Sequence, residues 1–216
     1  ELTSHAEIPS GTGLGSSGSF GVGILHAILG HGASSMVLAQ ESTEIQMNIL
    51  GHPIGVQDQY AAAFGGVRMY SVFEEGRVSY KDIPAPEGLE LFYTGIKRDA
   101  NEVLAASTQE GLEKIQELAW RAKHILQARN WKAYGELLNE HWEFKKKRGG
   151  MTNPEIDKWY ELGMNNGAIG GKLVGAGGGG FLLFYTEDKE RLIKALPLKH
   201  VPFGYDFEGS RILVND

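Results

Sequence analysis

Two glycine-rich strings hold the residues whose types and spacing could do chemistry. The first is Pro9-Ser10-Gly11-Thr12-Gly13-Leu14-Gly15-Ser16-Ser17. Glycines at alternate positions let a backbone approach a ligand closely and turn its N–H groups inward. The apolar stretch that follows reads as a helix, whose N-terminus offers more N–H groups and the positive end of a dipole. Ser16 and Ser17 add hydroxyls at that end. Together these groups suit a polyphosphate accompanied by Mg²⁺. The second string is Lys172-Leu173-Val174-Gly175-Ala176-Gly177-Gly178-Gly179-Gly180-Phe181. Between the two lies Gly55-Val56-Gln57-Asp58-Gln59-Tyr60, whose Asp58, taken alone, reads as a helix-capping residue.

Other phosphate-binding patterns fit less well. Neither string contains Gly-Lys-Ser/Thr, so neither is a Walker A loop. Both satisfy G-x-G-x-x-G, at 13–18 and 175–180. A dinucleotide loop must follow a buried strand and open a helix. Pro9 interrupts the approach to the first match, and the second leads into an apolar strand. A helix-entry loop that binds nothing stays open for the first string at this point.

Local patterns supply the elements that must position these residues. Leu2, Ala6 and Ile8 alternate with polar neighbours and predict a short strand ending at Pro9. Residues 20–29 predict a buried helix. Ser34 or Ser35 caps a second, running to about Leu50, where Gly51 and Pro53 break it. A short helix is expected over 58–64. The runs 67–73 and 77–83 flank Glu74-Glu75-Gly76 as a hairpin. Pro84, Pro86 and Gly88 mark a domain boundary, giving domains 1–82 and 83–216. Beyond it, 89–93 is a strand and 99–147 is helical, with Asn130 capping its later part. Asn153-Pro154 starts another helix. Strands are expected at 172–174, 181–185 and 211–214, and a short helix near 187–195. This order, with its helices clustered, points to an α+β fold.

Composition narrows the function classes. With 216 residues, 42% hydrophobic and 22% charged, the chain can bury a core. The net charge of −6 argues against a general nucleic-acid binder or a polybasic membrane binder. The absence of cysteine excludes disulfides, thiolate nucleophiles and zinc–thiolate sites, and it fits a cytoplasmic protein. No apolar run approaches the roughly 20 residues of a membrane helix. Glu1-Leu2-Thr3-Ser4 does not begin a signal peptide, and it carries no starting Met. Glycine is abundant, at 30 residues, but it sits beside apolar periodic runs, which marks tight loops between packed elements. Lys145-Lys146-Lys147-Arg148 reads first as a solvated helix end favoured by the dipole, and second as a contact for a sugar phosphate. The seven histidines show no metal-ligand spacing and read as surface or packing residues. Trp120, Trp131, Trp142 and Trp159 read as helix-packing aromatics.

The string from Pro9 to Ser17 resembles the second signature of the GHMP kinases, and the 172–181 string resembles the third. Two motifs in the family's order, about 160 residues apart, are more specific than either alone. The resemblance covers essentially the whole chain. It implies a two-domain GHMP architecture: the remainder of an N-terminal nucleotide domain followed by a ferredoxin-like C-terminal domain. ATP phosphates are expected at Pro9, Gly11, Gly13, Leu14, Gly15, Ser16 and Ser17, with Ser17 as a Mg²⁺ ligand. In galactokinase-like members an aspartate in a similar Gly-x-x-Asp-Gln segment is the base, so Asp58 is expected to take a sugar hydroxyl's proton as it attacks the γ-phosphate. Gly175, Gly177 and Gly178 are expected near the substrate. Leu91-Phe92-Tyr93-Thr94-Gly95-Ile96-Lys97-Arg98-Asp99-Ala100, the segment 54–66 and the tail 201–212 resemble the family's heptose-phosphate kinases, and Arg98 is expected to bind the substrate phosphate. The small-molecule partner is then D-glycero-D-manno-heptose 7-phosphate, phosphorylated at its anomeric hydroxyl on the route to nucleotide-activated heptose for surface polysaccharide. Galactokinase, another sugar kinase, or a catalytically silent binding module of the same fold are the alternatives.

Two departures bear on catalysis. The family's first signature has no counterpart, which implies an N-terminally incomplete chain that binds ATP poorly and self-associates through an opened sheet edge. Many members also place a metal-binding glutamate where Gln46 stands. An amide oxygen can bind Mg²⁺ but brings no charge.

Overall fold

A computed structural model describes residues 2–97, 111–147 and 150–214. The chain divides into two compact units. The first comprises Glu1–Ser10, Gly15–Ile83 and Gly204–Asp216; the second comprises Gly11–Leu14 and Pro84–Phe203.

In the first unit, α1 (Ser16–Leu29), α2 (Ser35–Glu44) and α3 (Gln57–Phe64) pack on one another beside the hairpin β1 (Arg68–Val72) and β2 (Val78–Asp82). Ser34 caps α2, its side chain accepting from Val37 N. Beyond Glu44 the helix widens into a π-type turn over Ile45–Ile49. Val22, Leu38, Ala39, Tyr60, Ala63 and Val78 form the core. The hairpin is antiparallel, with Arg68 opposite Asp82 and Val72 opposite Val78. The tail folds back within this unit: Gly66 N donates to Asp206 O at 2.6 Å, and His26 Nδ1 lies 2.9 Å from Ser210 Oγ.

The second unit is a four-stranded antiparallel sheet of β3 (Leu89–Tyr93), β4 (Ala168–Leu173), β5 (Phe181–Thr186) and β6 (Lys199–His200), in the order β4-β5-β3-β6. Between β3 and β4 run α4 (Leu112–Gln127), α5 (Trp131–Lys147) and α6 (Pro154–Asn165), and α7 (Lys189–Ala195) joins β5 to β6. The βαββαβ order with this pairing is the ferredoxin-like arrangement. The fold is therefore α+β, as expected. Asn130 Oδ1 accepts from Ala133 N at the start of α5, and Asn153 Oδ1 accepts from Glu155 N and Ile156 N at the start of α6. Phe92, Trp142, Ile156, Leu173, Leu182, Phe184 and Leu192 are fully buried, each contributing about 1.5–3 kcal/mol of transfer free energy. Helix α5 lies unusually close to β4. A Cβ at Gly170 would come within 1.9 Å of Gly135 O, and one at Gly135 within 2.5 Å of the Tyr185 ring, so only glycine allows this approach.

Three local expectations are corrected. Residues 2–8 form no strand, and neither do 211–214. Alternation supplies a face, but a strand needs a hydrogen-bonded neighbour, and neither segment has one among the described residues; Leu2, Leu213 and Val214 are all exposed. Trp120 does not pack: it is half exposed on α4, under the ammonium of Lys123. Residues 99–110 of the expected long helix lie outside the described residues. No described helix is long and apolar enough to cross a membrane.

Candidate functional site

The first glycine string is shared between the units, Gly11–Leu14 belonging to the second and Gly15 onward to the first. Gly15 takes the left-handed conformation, φ 73°, ψ 23°, as N-cap of α1, and no side chain caps that helix. A non-glycine residue is strained in this conformation, and a side chain there would also meet Asp58 Cγ at 3.3 Å. Gly18 is tighter. Its missing Cβ would sit 2.8 Å from Asp58 Cβ and 2.9 Å from the Asp58 carbonyl carbon. The first turns of α1 and α3 thus pack backbone to backbone, which places the Asp58 side chain against the uncapped amide end of α1. Asp58 keeps an open side toward solvent. On its other side the packed helices strip water from the carboxyl and push its pKa up. A raised pKa makes a carboxylate a better proton acceptor. Ser16 is half-buried and Ser17 exposed on the same turn.

Gln46 lies deeper in the first unit, only 5% exposed. Its Nε2 donates to Ser42 Oγ at 3.0 Å, and both groups fill the space left by Gly21, where a Cβ would approach them to 2.6–2.7 Å. With its amide turned to donate to Gly55 O and Val56 O, Gln59 brings its own oxygen to 3.3 Å from Gln46 Oε1. The amide nitrogen of Gln46 is thus bonded to Ser42 of α2 and packed on the backbone of α1 at Gly21. Glu44, two residues earlier, accepts from Asn48 at 2.6 Å. Among the described residues no group of three His, Asp or Glu side chains could hold a metal ion.

In the second unit the Gly11–Leu14 segment meets the loop between β4 and β5. Gly175 has φ 72°, and a Cβ on it would strike Gly13 Cα at 2.6 Å; one on Gly180 would strike Thr12 O at 2.1 Å. Gly178 N donates to Met151 O at 2.9 Å, Gly180 N to Ile96 O at 2.8 Å, and Thr94 Oγ1 to Gly180 O at 2.8 Å. A shallow recess remains, with room for about one water, lined by Gly11, Gly13, Val174, Ala176 and Gly177 among others. Most of this lining is glycine backbone, the kind of surface at which N–H groups can meet an anion.

Sequence reasoning missed a group of side chains at the root of that loop. Lys172, on β4, faces α5, and its ammonium lies 3.2 Å from His141 Nδ1. One turn along α5, Lys145 Nζ donates to Gly175 O. Enclosure lowers the pKa of Lys172 to about 8. Desolvation, then Lys172 and Lys145, lower that of His141 to about 4. The ring is therefore neutral at pH 7 and accepts from the ammonium. The signal was a lysine on the helix-facing side of an otherwise apolar strand. Lys145 and Lys146 also depart from the solvated-helix-end reading, since Lys146 pairs with Glu143 at 2.6 Å and lies over the Trp142 and Tyr160 rings. Arg98 and Arg148 lie outside the described residues.

The GHMP kinases N terminal domain model matches residues 1–66, and the GHMP kinases C terminal model matches 91–201. The chain is 30% identical over 232 residues to the D-glycero-alpha-D-manno-heptose 7-phosphate kinase of Campylobacter jejuni, covering 97% of this chain and 68% of that protein. It is 29% identical over 222 residues to the galactokinase of Thermococcus kodakarensis, covering 83% and 63%. A sugar kinase crystal structure from Campylobacter jejuni superimposes with a TM-score of 0.72 at 29% identity, covering 94% of this chain and 65% of that one. The fold is also that of Lactococcus lactis galactokinase solved with galactose, with a TM-score of 0.73 at 20% identity, covering 95% and 68%. The chain thus spans about two-thirds of the length of these relatives.

Proposed function

This chain belongs to the GHMP kinase family, and we propose that it serves ATP-dependent phosphoryl transfer to the anomeric hydroxyl of a sugar phosphate, D-glycero-D-manno-heptose 7-phosphate. The observation that carries this reading is Asp58 packed against the uncapped amide end of α1. Phosphate oxygens gain from helix N–H groups and the positive dipole end, and a carboxylate beside them can take the proton of an attacking hydroxyl. Similarity to the Campylobacter jejuni heptose 7-phosphate kinase supports the choice of sugar.

In this reading Pro9, Gly11, Gly13, Leu14, Gly15, Ser16 and Ser17 bind the ATP phosphates. Asp58 orients the sugar hydroxyl and accepts its proton. Gly175, Gly177 and Gly178 take part in substrate binding, and so does Arg98. Mg²⁺ fits the site as a hard cation that arrives with its polyphosphate, because an exposed serine oxygen, Ser17, stands at the first turn of α1. The ion's chemistry is to neutralise charge on the phosphate oxygens. Gln46 would join it through Oε1, the amide atom not used in its bond to Ser42.

The neutral amide at position 46, in place of a charged carboxylate, favours a second reading, a phosphate-binding module of the same fold without turnover. Asp58→Asn separates the two. With heptose 7-phosphate and Mg·ATP, a catalytic Asp58 predicts a loss of turnover of at least 100-fold with ATP affinity changed less than threefold. Turnover by wild type that survives the substitution within threefold refutes the assignment of the base. Binding of Mg·ATP with no phosphoryl transfer by either protein supports the module.

A further inference from the structure

We propose that Lys172, held by His141, is a positioning residue that keeps a positive charge behind the 174–180 loop and draws phosphate groups to it; the proposal rests on the phosphate-binding reading above. Three observations carry it. First, the half-buried Lys172 side chain is drawn under α5 by a close approach that only glycine allows, Gly170 on β4 against Gly135 on α5. Lys172 shares the α5-facing side of β4 with Gly170, so its side chain runs under the helix to His141.

Second, the charge has no carboxylate partner among the described residues. Helix α5 turns His141 and Lys145 toward it, both basic. Helix α6 brings the Tyr160 hydroxyl to strand β4, 2.7 Å from Asn139 Oδ1 and 3.0 Å from Gly171 O. Strand β5 pairs the position with Leu183. Of the acids of α5, Glu140 pairs with Lys114 and Arg121, Glu143 pairs with Lys146, and Glu136 is exposed to solvent. A half-buried cation with only a neutral acceptor is unfavourable for folding, as the lowered pKa of Lys172, about 8, reflects. Burdens of this kind persist where they serve a function.

Third, the charge stands at the root of the glycine loop. Lys172 precedes Val174 by two residues, and Lys145 reaches past His141 to Gly175 O. Methionine at this position would keep the packing and remove the charge. The loop would then hold its shape and lose part of its attraction for an anion.

The test is calorimetry with inorganic tripolyphosphate, together with thermal unfolding of the same samples. At pH 7, Lys172→Met should bind at least fivefold more weakly than wild type while melting higher, and Lys172→Arg, which keeps the charge, should bind within twofold. At pH 9.5, where wild-type Lys172 has lost its proton, wild type and Lys172→Met should converge within twofold. Wild-type affinity in Lys172→Met at pH 7, or a fivefold gap unchanged at pH 9.5, overturns the proposal and leaves the phosphate-binding reading standing. A Lys172→Met protein that melts lower and loses binding shows a structural lysine and also overturns it. No tripolyphosphate binding by wild type at pH 7 refutes the phosphate-binding reading, and the proposal with it.

Discussion

Replacing Lys172 with methionine should stabilise the protein at neutral pH. In an unfolded chain the amine titrates near 10.5, and in the folded protein near 8. That gap of about 2.5 pH units, at about 1.4 kcal/mol each, corresponds to about 3 kcal/mol. The folded state binds this proton less tightly than the unfolded state does. Its destabilising effect is therefore full below pH 8, shrinks between about 8 and 10.5, and vanishes above. Methionine removes this effect together with the hydrogen bond to His141, which is worth about 1 kcal/mol. The net gain expected at pH 7 is about 2 kcal/mol, or about 4–8 °C in melting temperature, and it should disappear or reverse by pH 10. Trp120, Trp131, Trp142 and Trp159 all belong to the second unit, so urea unfolding followed by tryptophan fluorescence reports on the unit that contains Lys172. A variant less stable than wild type at pH 7, or a difference that does not change between pH 7 and 10, would refute the reasoning.

Four further outcomes are expected. Gly18→Ala gains about 1 kcal/mol of helix propensity but drives a methyl to 2.9 Å from the Asp58 carbonyl carbon; overpacking of about 1–3 kcal/mol should leave stability nearly level or lower, with turnover down tenfold or more as Asp58 moves, measured by urea unfolding and single-turnover kinetics. Gly170→Ala, with its methyl 1.9 Å from Gly135 O, should part α5 from β4 and lose more than about 3 kcal/mol, read as an early loss of tryptophan signal in urea. Asn153→Ala removes the cap of α6 and should cost about 1 kcal/mol, seen as a lower urea midpoint with an unchanged slope. Ser17→Ala should weaken Mg·ATP more than metal-free ATP in calorimetry, and equal losses would assign the hydroxyl a structural role.

Much of the local structure was legible in the chain itself, because its causes are local. Asn130 and Asn153-Pro154 announced the starts of α5 and α6, Glu74-Glu75-Gly76 announced the hairpin, and the apolar run 89–93 became β3 with no change of bounds. The glycine strings were legible too, since few other uses explain alternate glycines beside apolar runs. What the sequence left undecided depended on partners distant in the chain. The alternation in 2–8 looked like a strand, yet no neighbouring strand bonds to it, and 211–214 failed for the same reason. That Gln46 is buried with its amide nitrogen on Ser42, in the space left by Gly21, depends on α1 lying against α2. His141 and Lys172 are 31 residues apart and carry no spacing signature. Only the close crossing of α5 over β4, at two glycines, brings a basic ring and an enclosed ammonium together and shifts both pKa values by desolvation.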